Sequence, residues 1–416
     1  MPINSLPVRL EVTAETLRVL YNECAFLRSI GREHEKYFEE KVPIGTTLQI
    51  KRPWRPQGRQ GQAFQPEPIV QTTVPLTVSY WRGGDFVYND TDEALFMDME
   101  RFHENYSRPM GIMIANQVDA DLANFVQVTT PNFVGTPGVT PGPSNNGLAT
   151  YTQARVALNK LLAPDNDRTV LWTSDFEAGI VGANQTLFNP SAVIGREHQS
   201  GVVGRYAGFD FMRDEQIPSA TAGTYAGSGV VSGANQSGSS LVTSGWTSGS
   251  VSVVPGDRFT IAGVYKVNPS GLHTAYTGNS NLMQFVITQA TTDSSGAATF
   301  QIYPPLIPSG QFQNCSGSPA NGAAITFATT SGQTYNTAFG MQKDAYTAAF
   351  LKLHKPSNVE CVVMGGEESN TPGIYLRNIR QWQSSGPYAG YETDRTDIIY
   401  GFAAQYADYM STVIYG

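Results

Sequence analysis

The feature that most constrains the fold is an abrupt change in composition between residues 219 and 340. Gly, Ser, Thr, Ala and Asn dominate this stretch, and its only charged side chains are Asp257, Arg258, Lys266 and Asp293. Short runs rich in β-branched and aromatic residues recur between turn signals such as Pro255-Gly256-Asp257. Many short strands separated by turns are typical of a small antiparallel sandwich or barrel. We therefore predict an all-β domain over 219–340.

The segments on either side of this stretch mix helical and strand patterns. Residues 151–163 and 175–187 have helical patterns and flank a short apolar strand at 168–173. Further strands are predicted at 209–212, 359–364 and 398–404, and a further helix is predicted at 344–353. Such mixing predicts an α+β protein interrupted by a β domain. Its other parts are predicted to be 84–150, 151–218 and 341–416.

The N-terminal residues 1–45 are predicted to form a helical arm. Thr13 is a candidate N-cap, and the apolar stripe that follows has helical spacing: Leu17, Leu20, Cys24, Leu27 and Ile30. An amphipathic arm needs a surface on which to bury this stripe, either on its own domain or on a neighbouring subunit. We interpret Leu17, Leu20 and Leu27 as arm contacts with a neighbouring subunit.

Residues 46–83 are predicted to form an extended hairpin. Alternating polarity at 46–51 and 72–80 is typical of strands, whereas the prolines and glycines of 52–68 prevent regular structure. A loop of this length is unusual inside a compact domain. We therefore interpret it as an arm that reaches across a neighbouring subunit.

The hairpin also carries a cluster of basic and aromatic residues. Its members are Lys51, Arg52, Trp54, Arg55, Arg59 and Phe64. Three interpretations stay open for this cluster: a solvated surface, a contact with carboxylates of another subunit, and a site for single-stranded nucleic acid. A net charge of −8 disfavours nucleic acid as the main ligand, because phosphate binding needs a basic face.

The strongest helical pattern extends over 91–127, and Pro109 is predicted either to divide it or to begin a second helix. Beyond Pro109 the apolar residues recur at four-residue steps, at Met110, Ile114, Val118, Leu122 and Val126. The segment 131–146, which contains Pro and Gly, is predicted to be a loop.

No constellation of residues points to catalysis, a cofactor or a metal. The histidines His34, His103, His198, His273 and His354 form no ligand motif, and Cys24, Cys315 and Cys361 are odd in number and far apart. The chain has no signal-peptide pattern and no apolar run long enough to cross a membrane. We therefore expect a protein without enzymatic activity that folds in the cytoplasm.

Four segments carry a resemblance to one family. They are Asp167-Arg168-Thr169-Val170-Leu171-Trp172 with its following helix, Gly201–Asp210, Ile217–Gly223, and Val254-Pro255-Gly256-Asp257-Arg258-Phe259-Thr260-Ile261-Ala262-Gly263-Val264. Together with the order of elements, they resemble the major capsid proteins of tailed phages with the Hong Kong 97-type fold. The chain is most similar to the P22-type coat proteins, which contain an insertion domain.

This resemblance implies a role for each part of the chain. The hairpin 46–83 would be the extended E-loop, 91–127 the spine helix of the peripheral domain, and 219–340 the insertion domain. The axial domain would be built from parts of 151–218 and 341–395. Subunits would form hexamers and pentamers of an icosahedral shell around double-stranded DNA, assembled in the host cytoplasm with a scaffolding protein and a portal. The low charged fraction of 15% suits a subunit with extensive interfaces.

Other functions were weighed against this one. An encapsulin-like compartment would have the same fold and would hold an enzyme instead of a genome, but the large β insert disfavours it. A β-rich surface adhesin would suit the Ser- and Gly-rich stretch, although the segments around it mix helices and strands. A hydrolase is a further alternative that lacks any recognisable set of catalytic residues.

Overall fold

The structure is a computed structural model that describes most of the chain. The described residues are 13, 16–18, 20, 24–34, 47–56, 61–64, 66, 68–89, 108–142, 147–184, 205–269, 275–276, 278, 281–357, 359–366, 371–383 and 386–416. The chain divides into two compact units. The first contains Met1–Ile50, Val74–Leu122 and Tyr346–Ala403, and the second contains Lys51–Thr73, Ala123–Ala345 and Ala404–Gly416.

Strands outnumber helices among the described residues. The helices are α1 (Ala25–Arg28), α2 (Arg108–Thr129), α3 (Gly147–Lys160), α4 (Ser174–Asn184) and α5 (Ala407–Met410). The first strands are β1 (Thr47–Lys51), β2 (Thr73–Thr77), β3 (Tyr80–Asn89), β4 (Phe133–Gly135), β5 (Arg168–Trp172), β6 (Arg205–Tyr206), β7 (Phe209–Arg213) and β8 (Ala220–Thr221). Next come β9 (Gly227–Val231), β10 (Gly238–Trp246), β11 (Ser252–Val253), β12 (Arg258–Tyr265), β13 (Leu282–Ile287), β14 (Thr291–Thr292), β15 (Ala298–Leu306), β16 (Ile325–Phe327) and β17 (Thr334–Tyr335). The last are β18 (Thr337–Gln342), β19 (Tyr346–Phe350), β20 (Glu360–Gly366), β21 (Thr371–Trp382), β22 (Tyr391–Ala404) and β23 (Ser411–Tyr415).

The first unit is built on a five-stranded sheet around β22. This strand pairs with β3 over ten residues, with β19, and with β21, which in turn pairs with β20. On one face of the sheet, Arg82 and Tyr400 both hydrogen-bond to the carboxylate of Asp121 in α2. A separate apolar core joins β1, β2, β19 and β22: Ile50, Leu76, Val78, Ala349, Leu351, Leu353, Ile399 and Ala403. The sheet therefore holds the base of the hairpin as well as the long helix.

The second unit contains a mixed sheet in the order β4-β23-β18-β5-β7-β6. The pairs β4–β23 and β5–β7 are parallel, and the other three pairs of this sheet are antiparallel. Every residue of β5 is buried, and α3 and α4 contribute Tyr151, Leu158, Phe176 and Ile180 to the same core. These elements confirm the predicted order of helix, strand and helix before residue 187, although α3 lies at Gly147–Lys160 instead of 151–163.

The stretch between β7 and β18 folds around a second sheet, with the order β16-β12-β13-β15-β10-β9. Its two end strands also meet, because Val230 bridges Ala324 and the amide of Val231 donates to the carbonyl of Ala323. The sheet is therefore a closed barrel, which leaves no long free edge. Alternate residues along β10 and β15 point inward, and the interior is filled by apolar side chains such as Phe259, Phe285 and Phe300.

The barrel leaves and rejoins the mixed sheet at adjacent points. Strand β8 pairs with β17, so that Thr221 lies opposite Thr334 and Ala220 lies opposite Tyr335. No α-helix occurs in the described part of 219–340, in agreement with the all-β prediction. The prediction that this stretch forms a separate domain stays a prediction, since it belongs to the same compact unit as its flanks.

Two predicted elements are wrong. The helix predicted at 344–353 is instead a 3-10 turn at Lys343–Ala345 followed by β19, whose five residues are all buried. A continuous buried run does not distinguish helix from strand by periodicity. The predicted loop 131–146 also contains the short strand β4, which is paired with β23.

The long predicted helix is confirmed in part. Helix α2 begins at Arg108, so Pro109 lies in its first turn, where a missing amide hydrogen is tolerated. Four members of the predicted stripe are buried: Ile114, Val118, Leu122 and Val126. Residues 91–107 of that prediction lie outside the described residues, as do the segment 185–204, His103, His198 and His273.

Candidate functional site

The hairpin predicted from the sequence is present, and its two strands are short. Thr47 Oγ1 and Thr77 Oγ1 lie 2.8 Å apart, and the amide of Arg52 donates to the carbonyl of Thr72 at 2.8 Å. These contacts make β1 and β2 antiparallel and close the hairpin at Arg52. The described residues between Arg52 and Thr72 lie in no helix or strand, and this stretch is called here the hairpin loop. Four prolines at 53, 56, 66 and 68 remove the amide donors that a longer ladder would need.

The hairpin loop exposes large apolar side chains. Phe64 is 85% exposed and Ile69 is 73% exposed, while Val70 and Trp54 are exposed to 44% and 36%. Isolated apolar side chains on a surface are ordinary, but several on one loop indicate a contact surface. We call Phe64, Ile69 and Val70 the apolar tip, a name that refers to their exposure and not to their distance from the base of the loop.

The base of the hairpin loop is fastened to the C-terminal segment of the same unit. Arg55 donates from Nη1 to the hydroxyl of Tyr409 at 2.5 Å, and its guanidinium lies 4.3 Å from the centre of that ring. Gln311 Nε2 donates to the carbonyl of Arg55 at 2.8 Å. The neighbouring guanidinium of Arg52 lies 3.9 Å from Asp408 Oδ1 and 5.5 Å from the centre of the Tyr406 ring.

The residues that receive these arginines are themselves fixed. Tyr406, Asp408 and Tyr409 lie in or beside α5, and the amide of Tyr406 donates to the carbonyl of Ala345 at 3.0 Å. Asn132 Nδ2 donates to the carbonyls of Asp408 and Ser411, both at 3.0 Å. The short helix is therefore a rigid anchor for the loop.

Burial dominates the electrostatics of this anchor. It raises the pKa of the Asp408 carboxyl above its ordinary value, against the opposing effects of Arg52 and Arg55. Burial also raises the pKa of Tyr409 to about 12, so its hydroxyl stays protonated at neutral pH. A cation beside a buried carboxyl and two tyrosine rings is favourably placed, because removing it would leave the carboxylate unpaired.

The residues predicted for the hairpin contact fall into an exposed group and a group that is bound within its own chain. Lys51, Trp54 and Phe64 are exposed, whereas Arg52 and Arg55 already have partners within their own chain. Arg59 lies outside the described residues. A contact of any of these residues with a second copy stays a prediction.

The three leucines predicted to contact a neighbouring subunit are buried in their own chain. Leu17, Leu20 and Leu27 are 1%, 0% and 2% exposed. Nearby, Cys24 Sγ donates to the carbonyl of Ala115 in α2, and Gly31 bridges Thr347 in β19. These three side chains are already buried within their own chain, and a contact of the arm with a neighbouring subunit stays a prediction.

Tyr406, Asp408 and Tyr409 were missed in the sequence. Two tyrosines around an acid near the end of the chain form a weak signal, and only the fold places Tyr409 beside Arg55, which is 354 positions earlier. In the described part of the chain, no group of three His, Cys, Asp or Glu side chains could hold a metal ion. None of the described helices is both long and apolar enough to cross a bilayer.

Comparison with known proteins gives one family and a set of similar structures. Residues 49–347 match the family described as P22 coat protein, gene protein 5. No curated protein matches the sequence. A structure from Mycobacterium phage Che8 is similar with a TM-score of 0.47 and 10% identity, over 94% of this chain and 90% of that one. The acid-stable capsid of Helicobacter pylori bacteriophage KHP30 gives a TM-score of 0.41 and 9% identity, over 95% and 91%. The capsid of cyanophage P-SCSP1u gives 0.41 and 11%, over 90% and 84%.

Proposed function

Because the chain belongs to the P22 coat protein family and is a major capsid protein, we propose that its copies close into a phage head through contacts of the hairpin loop. The observation that carries this proposal is the span of the family match. It begins at residue 49, inside β1, and ends at residue 347, inside β19, so it includes most of the hairpin, α2 and the whole barrel.

A closed shell requires contacts that repeat around rotation axes. We infer that copies of this chain form hexamers and pentamers and that these build an icosahedral shell. The exposed apolar tip is suited to such contacts, because burying Phe64 and Ile69 against another copy would remove apolar surface from water. A scaffolding protein and a portal are further partners of this proposal.

The enclosed molecule is proposed to be double-stranded DNA, held without sequence-specific contacts. A net charge of −8 favours a shell that repels the packaged phosphates weakly and does not adsorb them. The role is structural and needs no catalytic residues or cofactor. Shells would be assembled in the host cytoplasm and become part of the virion.

Electron microscopy of the expressed protein tests this proposal. The protein is produced alone and together with the products of its neighbouring genes, and the lysates are fractionated by sedimentation. We expect uniform closed particles in at least one of these preparations, with DNA in particles from infected cells. A chain that stays monomeric in every combination would contradict the proposal, and particles filled with an enzyme would favour the encapsulin-like alternative.

A further inference from the structure

We propose that Tyr406, Asp408 and Tyr409 are positioning residues, which clamp the base of the hairpin loop to its own chain and leave the apolar tip for a second copy. This inference rests on the proposed function for the role of the tip. It divides the predicted contact cluster into two parts. Arg52 and Arg55 act within one chain, and the exposed apolar residues act between chains.

The geometry around Arg55 supports an intrachain role. Its guanidinium both stacks on the Tyr409 ring and donates to the hydroxyl of that ring, while its backbone carbonyl accepts from Gln311. The side chain and the backbone of this residue are thus held at once by two different parts of the second unit. Turning the Arg55 side chain toward another copy would lose both of its contacts with Tyr409.

The environment of Arg52 supports the same division. Its side chain is 18% exposed and that of Asp408 is 9% exposed, so little of either faces solvent. Turning Arg52 outward would leave the Asp408 carboxyl without its nearest cation in a site already unfavourable for charge. The amide of Arg52 also closes the hairpin on Thr72, which places the clamp at the point where the loop begins.

The position of the clamp explains how a proline-rich loop can present a contact surface. A loop that is free at its base would sample many directions, and ordering it on assembly would cost conformational entropy. With Arg52 and Arg55 fixed, that cost is reduced before a second copy arrives. The clamp therefore acts through the loop and does not itself need to touch the partner.

Limited proteolysis of the unassembled subunit tests the clamp. Chymotrypsin cleaves after aromatic residues, and Phe64 is 85% exposed, so the cleavage rate there measures how freely the loop moves. We expect Tyr409→Leu to accelerate cleavage after Phe64 by about fivefold, because local opening becomes more populated. The matched control is Tyr388→Leu, since Tyr388 is a 54% exposed tyrosine outside the clamp.

A double-mutant cycle separates an intrachain contact from one between copies. The milder variants Arg55→Met and Tyr409→Phe, and the combination of both, are compared with the wild type in the same unassembled state. If the contact lies within the chain, the combined variant is cleaved no faster than Arg55→Met alone, and the thermal midpoint of the subunit changes little. The clamp is overturned if the two accelerations multiply, or if neither variant differs from the wild type.

Particle yield then connects the clamp to assembly. Tyr409→Leu is expected to lower the yield of closed particles at a subunit concentration at which Tyr388→Leu assembles like the wild type. A normal yield from Tyr409→Leu would contradict its positioning role even if the proteolysis result holds. If the wild-type protein forms no particles at all, the proposed function fails, whereas the proteolysis on the isolated subunit still decides whether the clamp exists.

Discussion

At the scale of single residues, Arg258 connects the barrel to the end of the long helix. Its fully buried side chain donates from Nε to the carbonyl of Thr130 at 2.8 Å, and from Nη2 to the carbonyl of Gln127. Its Nη1 also donates to the hydroxyl of Tyr415 at 3.1 Å. The last carbonyls of a helix lack intrahelical donors and carry partial negative charge. Arg258 supplies both the donors and the charge.

Replacing Arg258 should therefore destabilise the second unit. We expect Arg258→Met to lower the free energy of unfolding by about 3 kcal/mol, because several buried acceptors lose their donors at once. Thermal or urea unfolding followed by circular dichroism measures the change. Arg205→Met is the control, since the Arg205 side chain is 60% exposed. Equal effects of the two substitutions would show that Arg258 does not act as a helix cap.

Lys266 is a second polar connection in the barrel and is half-buried. Its Nζ donates to Gln284 Oε1 at 2.8 Å and to Asn132 Oδ1 at 3.0 Å. Burial, with a smaller effect from the charge of Lys160, lowers the pKa of Lys266 from 10.5 to about 7. In the unfolded chain the amine would hold its proton more tightly. At any pH at which the amine is charged, its burial therefore lowers the free energy of unfolding.

The sign of the resulting pH dependence follows from this lowered pKa. Between pH 7 and 10.5, the unfolded state binds more protons at Lys266, so stability rises as the pH rises, and below pH 7 the full penalty is present. Relative to the wild type, the free energy of unfolding of Lys266→Met should be higher near pH 6 than near pH 10, by about 4 kcal/mol. Unfolding titrations at the two pH values measure the difference. The exposed Lys343, changed to Met, controls for the loss of charge. A difference independent of pH would contradict the lowered pKa.

At the scale of elements, the sequence predicts those whose pattern is set by one buried face. The stripe of α2 and the alternation in β1 and β2 are of this kind, and their positions agree with the structure. Strand β19 is buried throughout, so its sequence Tyr-Thr-Ala-Ala-Phe carries no periodic signal, and alanine favoured the incorrect helix.

The partners of the hairpin arginines were beyond sequence analysis for a different reason. A basic residue in a loop has the same local pattern whether its partner lies in its own chain or in another copy. The anchor of Arg55 comes from Gln311 and Tyr409, which are distant in sequence and are positioned by the barrel and by α5. The sequence could therefore identify the hairpin as a site without dividing its residues between clamp and tip.

The apolar tip is expected to contribute to assembly and not to the stability of the subunit. Changing Phe64 and Ile69 together to Ser should leave the thermal midpoint of the subunit nearly unchanged, because both side chains are largely exposed. Particle yield, measured by sedimentation, should fall sharply because the surface offered to a second copy is lost. Val242→Ser is the control, since Val242 is a 42% exposed apolar residue on the barrel. Normal assembly of the double variant would exclude the tip as a subunit contact.

At the scale of the whole molecule, charge is distributed unevenly. Between residues 219 and 340 the two acids, Asp257 and Asp293, balance Arg258 and Lys266, so the net charge of −8 lies entirely in the rest of the chain. Of these four side chains, Asp257 and Arg258 are buried at the junction of the barrel with its surroundings. The outer surface of the barrel is consequently almost uncharged, and contacts made by it would depend little on salt.

The closed barrel also predicts that residues 219–336 can be separated from the rest of the chain and still fold. Its core is filled by its own strands, and its ends leave side by side through the β8–β17 pair, as an inserted domain requires. We expect residues 219–336, expressed alone, to give a β-type circular dichroism spectrum and one cooperative thermal transition. The midpoint should be lower than that of the whole protein, because Arg258 and Lys266 lose their partners at 127–132. The same fragment with Phe285→Ala should unfold earlier still, since it leaves a cavity among the core rings. A fragment without a cooperative transition would mean that the barrel depends on the flanking sheet for its fold and is not an independent insertion.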